Sequence, residues 1–307
     1  MSASFDLIAA APSPLAENGA INLEMVRPLV DHLVESGVTG LFALGTTGEC
    51  MSLTTSERQS LAEEFVRSSD GRIPVTVHVG HNSLAEACGL ATHAKLAGAD
   101  AIAMLPPCYF KPNSLDAVLE CLRCVASAGK GLPIYYYHIP HLTGVPVDIV
   151  ELIGRADDTI DGFAGVKFTS PAVDLFQLGL AEAGEKTVAF GVDEMLLSGV
   201  LAGATMAIGS TYNFAAPLFL SVVQAFQEGD LEEARRLQQV ATSMIHVLIR
   251  HGGLGAIKLA INELTVDCGP TRLPLRMPSG EQWPIIREEL AEVGLFDWCQ
   301  GLASADS

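Results

Sequence analysis

The chain has 307 residues, 49% of them apolar and 18% charged, and 36 Asp and Glu against 18 Lys and Arg give a formal charge of −18. The apolar share argues against a disordered protein, and the acidity against the basic surfaces that bind nucleic acid or anionic membranes. No apolar run reaches the ~20 residues of a membrane span, which leaves a soluble enzyme or a binder of small molecules.

From the N-terminus, the apolar run Leu7 to Ala11 follows no basic residue, so it reads as a buried strand rather than a signal peptide. Short β-rich runs then recur at 5–10, 39–44, 74–79, 100–105, 132–137, 162–167, 187–191 and 205–209, each followed by a helical stretch. Two of those helices open on S/T-x-x-E spacing, Thr54 with Glu57 and Ser83 with Glu86, which predicts capping boxes. Eight such units predict parallel strands with right-handed crossovers and, at this length, a closed (β/α)8 TIM barrel. A doubly wound open sheet is the alternative.

Beyond the eighth run the pattern is helical. Asp230 and Glu233 open a helix with apolar residues at helical spacing through Val247, and Gly252 and Gly253 stop it. Helical segments near 254–263 and 282–293 follow. The expected organisation is a barrel over 1–228 with a C-terminal helical extension over 229–307, both of one domain. The seven cysteines are odd in number and scattered, and the Cys121–Cys124 pair lies in a helical pattern with no second pair for zinc. That usage predicts reduced, incidental thiols and a cytoplasmic chain.

In a barrel of this kind the chemistry sits on loops at the C-terminal strand ends. After the second run, Gly45-Thr46-Thr47-Gly48-Glu49 suits a tight turn whose N–H groups and hydroxyls converge on an anion; an ordinary glycine turn is the bland alternative. The fifth run ends in Tyr135-Tyr136-Tyr137-His138-Ile139-Pro140, where alternation puts Tyr135 and Tyr137 on one face. The sixth ends in Gly165-Val166-Lys167-Phe168-Thr169-Ser170. A lysine pointing into the barrel mouth is desolvated toward the free amine that imine formation requires, whereas one snorkelling to water is not. Asp193 and Glu194 after the seventh run either complement a helix N-terminus or accept polyol hydroxyls. Ser210 follows the eighth.

The motifs GTTGE, YYYHIP, GVKFTS, GVDEMLL, IGSTYN and GPTRLPL occur in order between residues 45 and 275. This set resembles the pyruvate-dependent class I aldolase superfamily of N-acetylneuraminate lyase and dihydrodipicolinate synthase, and the later motifs resemble the lyases more narrowly. The resemblance implies that Lys167 forms a Schiff base with pyruvate, that Thr46 and Thr47 hold the pyruvate-derived carboxylate, and that Thr46 hydrogen-bonds Tyr137. It implies that Tyr137 is the acid/base phenol and that Thr169, Gly191, Asp193, Glu194 and Ser210 contact the polyhydroxylated sugar. Tyr109 falls where some members extend the proton relay.

The implied activity is reversible cleavage of N-acetylneuraminate to N-acetylmannosamine and pyruvate, with no cofactor beyond the imine, small-molecule substrates only and a homotetrameric assembly. Dihydrodipicolinate synthases carry an arginine five residues after the tyrosine; Leu142 stands there and cannot grip a second carboxylate. An aldolase for another 2-keto-3-deoxy sugar acid and a non-catalytic sugar-acid binder are the rival readings. The HxxH pairs His78/His81 and His138/His141 flank Gly or Pro without a third ligand at zinc spacing, so no metal is expected. Cys50 has no base partner that would make it a nucleophile.

Overall fold

The computed structural model describes residues 5–298. Its eight strands are β1 (Asp6–Ala10), β2 (Gly40–Ala43), β3 (Val75–His78), β4 (Ala101–Met104), β5 (Ile134–His138), β6 (Phe163–Phe168), β7 (Thr187–Phe190) and β8 (Met206–Gly209). All pair in parallel, in sequence order, and β1 closes on β8 through Asp6 to Ala9 against Met206 to Gly209. That closure settles the architecture as a (β/α)8 barrel and rules out the open doubly wound sheet.

The strands are apolar on both faces because both are covered. Outward residues such as Leu7, Ala9, Val75, Val77, Tyr136 and Phe168 join one core with the helices, whereas Ile8, Ala10, Phe42, Ala103, Tyr137, Ala189 and Ile208 fill the barrel interior. Register decides the chemistry. Between β5 and β6, Tyr137 pairs with Lys167, so both inward-facing side chains stand next to each other at the C-terminal end of the barrel.

The outer helices are α1 (Val26–Glu35), α2 (Thr55–Ser69), α3 (Leu84–Ala97), α4 (Leu115–Ala128), the single turn α5 (Pro140–Thr143), α6 (Ile149–Thr159), α7 (Val173–Glu182), α8 (Leu196–Ala202) and α9 (Tyr212–Gln227). The capping box that opens α2 forms in both halves, from Thr54 and Glu57. The one expected at α3 forms by half. Ser83 accepts from the Glu86 N–H, but the Glu86 carboxylate takes the Thr55 hydroxyl at 2.7 Å instead, and the Ser83 N–H donates to His81 Nδ1 at 2.9 Å. A neighbouring helix start thus outcompetes the local motif.

The extension consists of α10 (Leu231–Arg250), α11 (Leu254–Leu264) and α12 (Trp283–Glu292). Asp230 caps α10 by accepting from the Glu233 N–H, and Gly252 and Gly253 both turn the chain at positive φ. The division drawn at residue 228 falls between α9 and α10, and the end of the extension, 299–307, lies outside the described residues, as does Cys299. The extension is bonded to the catalytic end: Gln238 on α10 accepts from the Leu197 N–H and Thr242 donates to the Glu194 carbonyl. Among the described residues no single helix is long and apolar enough to cross a membrane. The pair α10 and α11 passes jointly, but bends by 112° and buries residues such as Leu237, Met244 and Ile261 in the core.

Candidate active site

A cavity of about 590 Å³ opens at the C-terminal end of the barrel. Lys167 lies at its floor, 4% exposed, with its ammonium 4.0 Å from the Phe42 ring centroid and 4.3 Å from that of Tyr137. Burial disfavours the charged form more than the Asp193 carboxylate favours it, and the pKa falls from 10.5 to about 7. The two aromatic faces supply cation–π attraction, but no carboxylate pairs with this ammonium among the described residues. The side chain is therefore half free amine near neutrality. Tyr137 is equally enclosed; burial raises its phenol to about 12, against the lowering effect of its 3.2 Å hydrogen bond with Thr46.

Thr46 and Thr47 line the same cavity on the turn that follows β2. The turn is not the ordinary glycine turn that stood as the bland alternative. Its left-handed residues are Leu44 (φ 61°) and Glu49 (φ 53°), not the two glycines. Gly45 and Gly48 are required by close approach instead: a Cβ at Gly45 would stand 2.6 Å from the Phe42 ring, and one at Gly48 3.0 Å from the Leu44 Cα. Left-handed conformations at side-chain-bearing residues cost about 1–3 kcal/mol each and persist only where neighbours fix them. Here the Leu44 carbonyl accepts from His78 Nδ1 at 3.0 Å, and the buried Arg58 guanidinium bonds the His78 and Gly80 carbonyls behind it. At the other end, the Glu49 carboxylate accepts from Lys258 Nζ and from the Arg272 N–H, both at 2.7 Å.

Of the remaining expected contacts, Thr169, Gly191, Asp193 and Ser210 line the cavity. The buried Thr169 Oγ1 approaches the Tyr137 phenol without a regular hydrogen bond and has no other partner among the described residues. Asp193 is buried, its carboxyl raised by desolvation, and it accepts from both the backbone and the hydroxyl of Thr211 at 2.9 and 2.7 Å. It thereby serves the start of α9 and the cavity at once. Two residues are not brought in. Glu194 does not line the cavity, and its backbone carbonyl is held by Thr242 of the extension. Tyr109 is 78% exposed, packs edge-on against Phe110, and also lies outside the cavity.

The site also includes residues that sequence reasoning did not place in it. Met51, Leu254, Pro274 and Leu275 form an apolar mouth with Leu142, which is 58% exposed. Leu254, Pro274 and Leu275 belong to the extension, which no local signal connects with the barrel rim. Cys50 and His141 face the cavity as well; burial raises the Cys50 thiol, so it is a poor nucleophile. His138 stacks on Phe168 at 5.2 Å, its pKa lowered to about 4 by burial, and His81 receives the Ser83 N–H. Among the described residues no group of three or more His, Cys, Asp or Glu could hold a metal ion.

Known proteins are similar to this chain over most of its length. The model of the dihydrodipicolinate synthetase family matches residues 3–292. N-acetylneuraminate lyase A of Xenopus laevis is 43% identical over 273 residues, covering 88% of this chain and 90% of that protein. The human N-acetylneuraminate lyase is 40% identical over 283 residues, covering 90% and 88%. Among solved structures, the Proteus mirabilis N-acetylneuraminate lyase superposes with a TM-score of 0.91 at 34% identity, over 95% of this chain and 99% of that one. With a closed barrel, a buried strand-end lysine and a matching family model over nearly its whole length, the chain belongs to the dihydrodipicolinate synthetase family, alongside the N-acetylneuraminate lyases.

Proposed function

We propose that this chain is a class I aldolase that reversibly cleaves N-acetylneuraminate to N-acetylmannosamine and pyruvate, with Lys167 as the imine-forming amine. The observation that carries the reading is the Lys167–Tyr137 pair: an amine near neutrality beside a phenol, on adjacent inward positions of a ligand-sized cavity. The names of the relatives support the substrate, and Leu142 at the mouth disfavours a second carboxylate.

The chemistry follows from these groups. The Lys167 amine adds to the keto carbon of the open-chain sugar acid, one proton is taken up from solvent and water leaves, giving a protonated imine. The new cation lets the Tyr137 phenol release its proton to water, and the phenolate then takes the proton of the hydroxyl on the carbon about to become an aldehyde. As the carbon–carbon bond breaks, its electron pair moves into the imine to form an enamine, and the aminosugar departs. Protonation of the enamine carbon and addition of water release pyruvate and the free amine. The iminium is the electron sink, so the proposed sequence runs without a cofactor. The Thr46–Thr47 turn receives the carboxylate, while Thr169, Asp193 and Ser210 offer partners to the sugar hydroxyls.

Steady-state assays with N-acetylneuraminate, with other 2-keto-3-deoxy sugar acids, and with pyruvate plus aspartate semialdehyde test the reading. Turnover of the sialic acid is expected; its absence beside robust semialdehyde condensation overturns it. The pH dependence is a second expectation. Only the free amine attacks pyruvate, so the initial rate of borohydride-trapped adduct formation should rise about tenfold per pH unit below about 7 and level off above it. An ordinary lysine would keep rising toward pH 10. The reading also includes a homotetramer, which the exposed Tyr109, Phe110, Leu178 and Leu201 support and ultracentrifugation tests, and a cytoplasmic location, which the six free described cysteines support.

A further inference from the structure

We infer that Lys258, acting through Glu49, is a positioning residue that fixes the Thr46–Thr47 turn for the substrate carboxylate. This inference rests on the function proposed above and assigns the C-terminal extension a part in it. Lys258 is on α11, 3% exposed, and does not line the cavity. Its ammonium spends its three donors on Glu49 Oε1 at 2.7 Å, the Pro270 carbonyl at 2.7 Å and the Ser13 carbonyl at 3.1 Å.

Each of those acceptors belongs to a segment that ends at the site. Glu49 is the left-handed residue that closes the turn, and its N–H donates to the Thr46 carbonyl at 3.0 Å. Ser13 holds the other side of the turn, because its hydroxyl donates to the Gly48 carbonyl at 2.7 Å. Pro270 starts the loop whose Arg272 N–H bonds Glu49 Oε2 and which then delivers Pro274 and Leu275 to the mouth. One ammonium thus ties the carboxylate cradle, the segment after β1 and the extension to a single point. Fold stability alone does not require ions here, since an apolar pair of similar volume serves a core at least as well. What the pair adds is direction. A carboxylate bonded on both oxygens fixes the orientation of its own backbone, and hence of the two hydroxyl side chains two and three residues before it.

The test uses the full chain with Lys258→Met, and with Glu49→Gln/Lys258→Met to leave no buried charge unpaired should the single variant fail to fold. Two quantities are read beside thermal unfolding: the pyruvate concentration that half-saturates borohydride trapping at Lys167, and the KM for N-acetylmannosamine in condensation. Displacement of a binding group by about an ångström is costly, so the pyruvate value should rise by about tenfold or more. The sugar KM should change less than about twofold, a split that general loosening would not give. The double variant should regain unfolding temperature without regaining pyruvate affinity. A folded variant whose pyruvate value stays within about twofold of the parent's, or whose two constants rise together, overturns the inference while the proposed function stands. A parent that takes no pyruvate overturns both.

Discussion

Lys167→Met should lower turnover by about 10⁴-fold or more, abolish the borohydride-trapped pyruvate adduct, and at the same time stabilise the fold. The two effects have one cause. Burial between the Phe42 and Tyr137 rings depresses the lysine from 10.5 to about 7, which corresponds to at most about 4–5 kcal/mol of cost for holding the charge in the folded state. Methionine has a similar reach, no charge and a sulfur that aromatic faces accept, so part of that cost, about 1–3 kcal/mol, should return as stability. The sign can be worked out from the shift. The unfolded lysine keeps its proton up to about 10.5, whereas the folded one releases it near 7, so the unfolded state binds more protons between those values. The parent's stability from this group therefore rises with pH across that window, and the parent–variant gap is widest below pH 7 and closes toward pH 10. Urea unfolding at pH 6 and at pH 9.5 measures the gap. A variant less stable than the parent at pH 6 contradicts a desolvated ammonium, and one that still forms the pyruvate adduct places the nucleophile elsewhere.

What the amino-acid order announces and what it conceals divide along one physical line. Period-2 alternation is local, so Tyr135 and Tyr137 could be put on one face of their strand and Lys167 at the end of the next without a structure, and the barrel's register then places Tyr137 and Lys167 side by side. Contacts made by closure of the chain leave no local trace. Lys258 meets Glu49 across 209 residues; Glu49 stands in the GTTGE motif, but nothing near Lys258 points to it as its partner. The turn at 44–49 shows the same limit at short range. The glycines suggested a tight turn, and they serve it by close approach, to Phe42 and to Leu44, while the left-handed positions are Leu44 and Glu49. Asp193 was left between two roles by its sequence, and it fills one of them, at the start of α9, while facing the cavity. Glu194, its neighbour, is turned out of the cavity lining, with its carbonyl tied to the extension. Tyr109 follows a strand end, as several of the gathered residues do, yet it stands exposed beside Phe110.

Tyr137→Phe should lower kcat for sialic acid cleavage by about 10²–10³-fold while pyruvate still traps on Lys167 at near-parental levels. In the free protein the phenol is a weak acid, raised to about 12, and holds its proton against the Thr46 hydroxyl at 3.2 Å. Imine formation changes its surroundings. The amine that was half neutral becomes a fixed cation next to the ring, and an adjacent positive charge favours the phenolate. The phenol therefore gains acidity only after the covalent bond has formed, which suits a group that must move a proton during carbon–carbon cleavage rather than during attack on the carbonyl. Phenylalanine keeps the ring, the edge contact with Phe42 at 5.6 Å and the face that Lys167 lies over, so it removes the proton and little else. Thr46 loses one partner and can turn its hydroxyl to the carboxylate instead. Intact mass after borohydride reduction reports the first chemical stage, and steady-state cleavage reports the whole cycle. If adduct yield and kcat fall together, the phenol belongs to imine formation. A fall of less than about fivefold in kcat assigns the proton to another group on the cavity wall, with Thr169 the first to test.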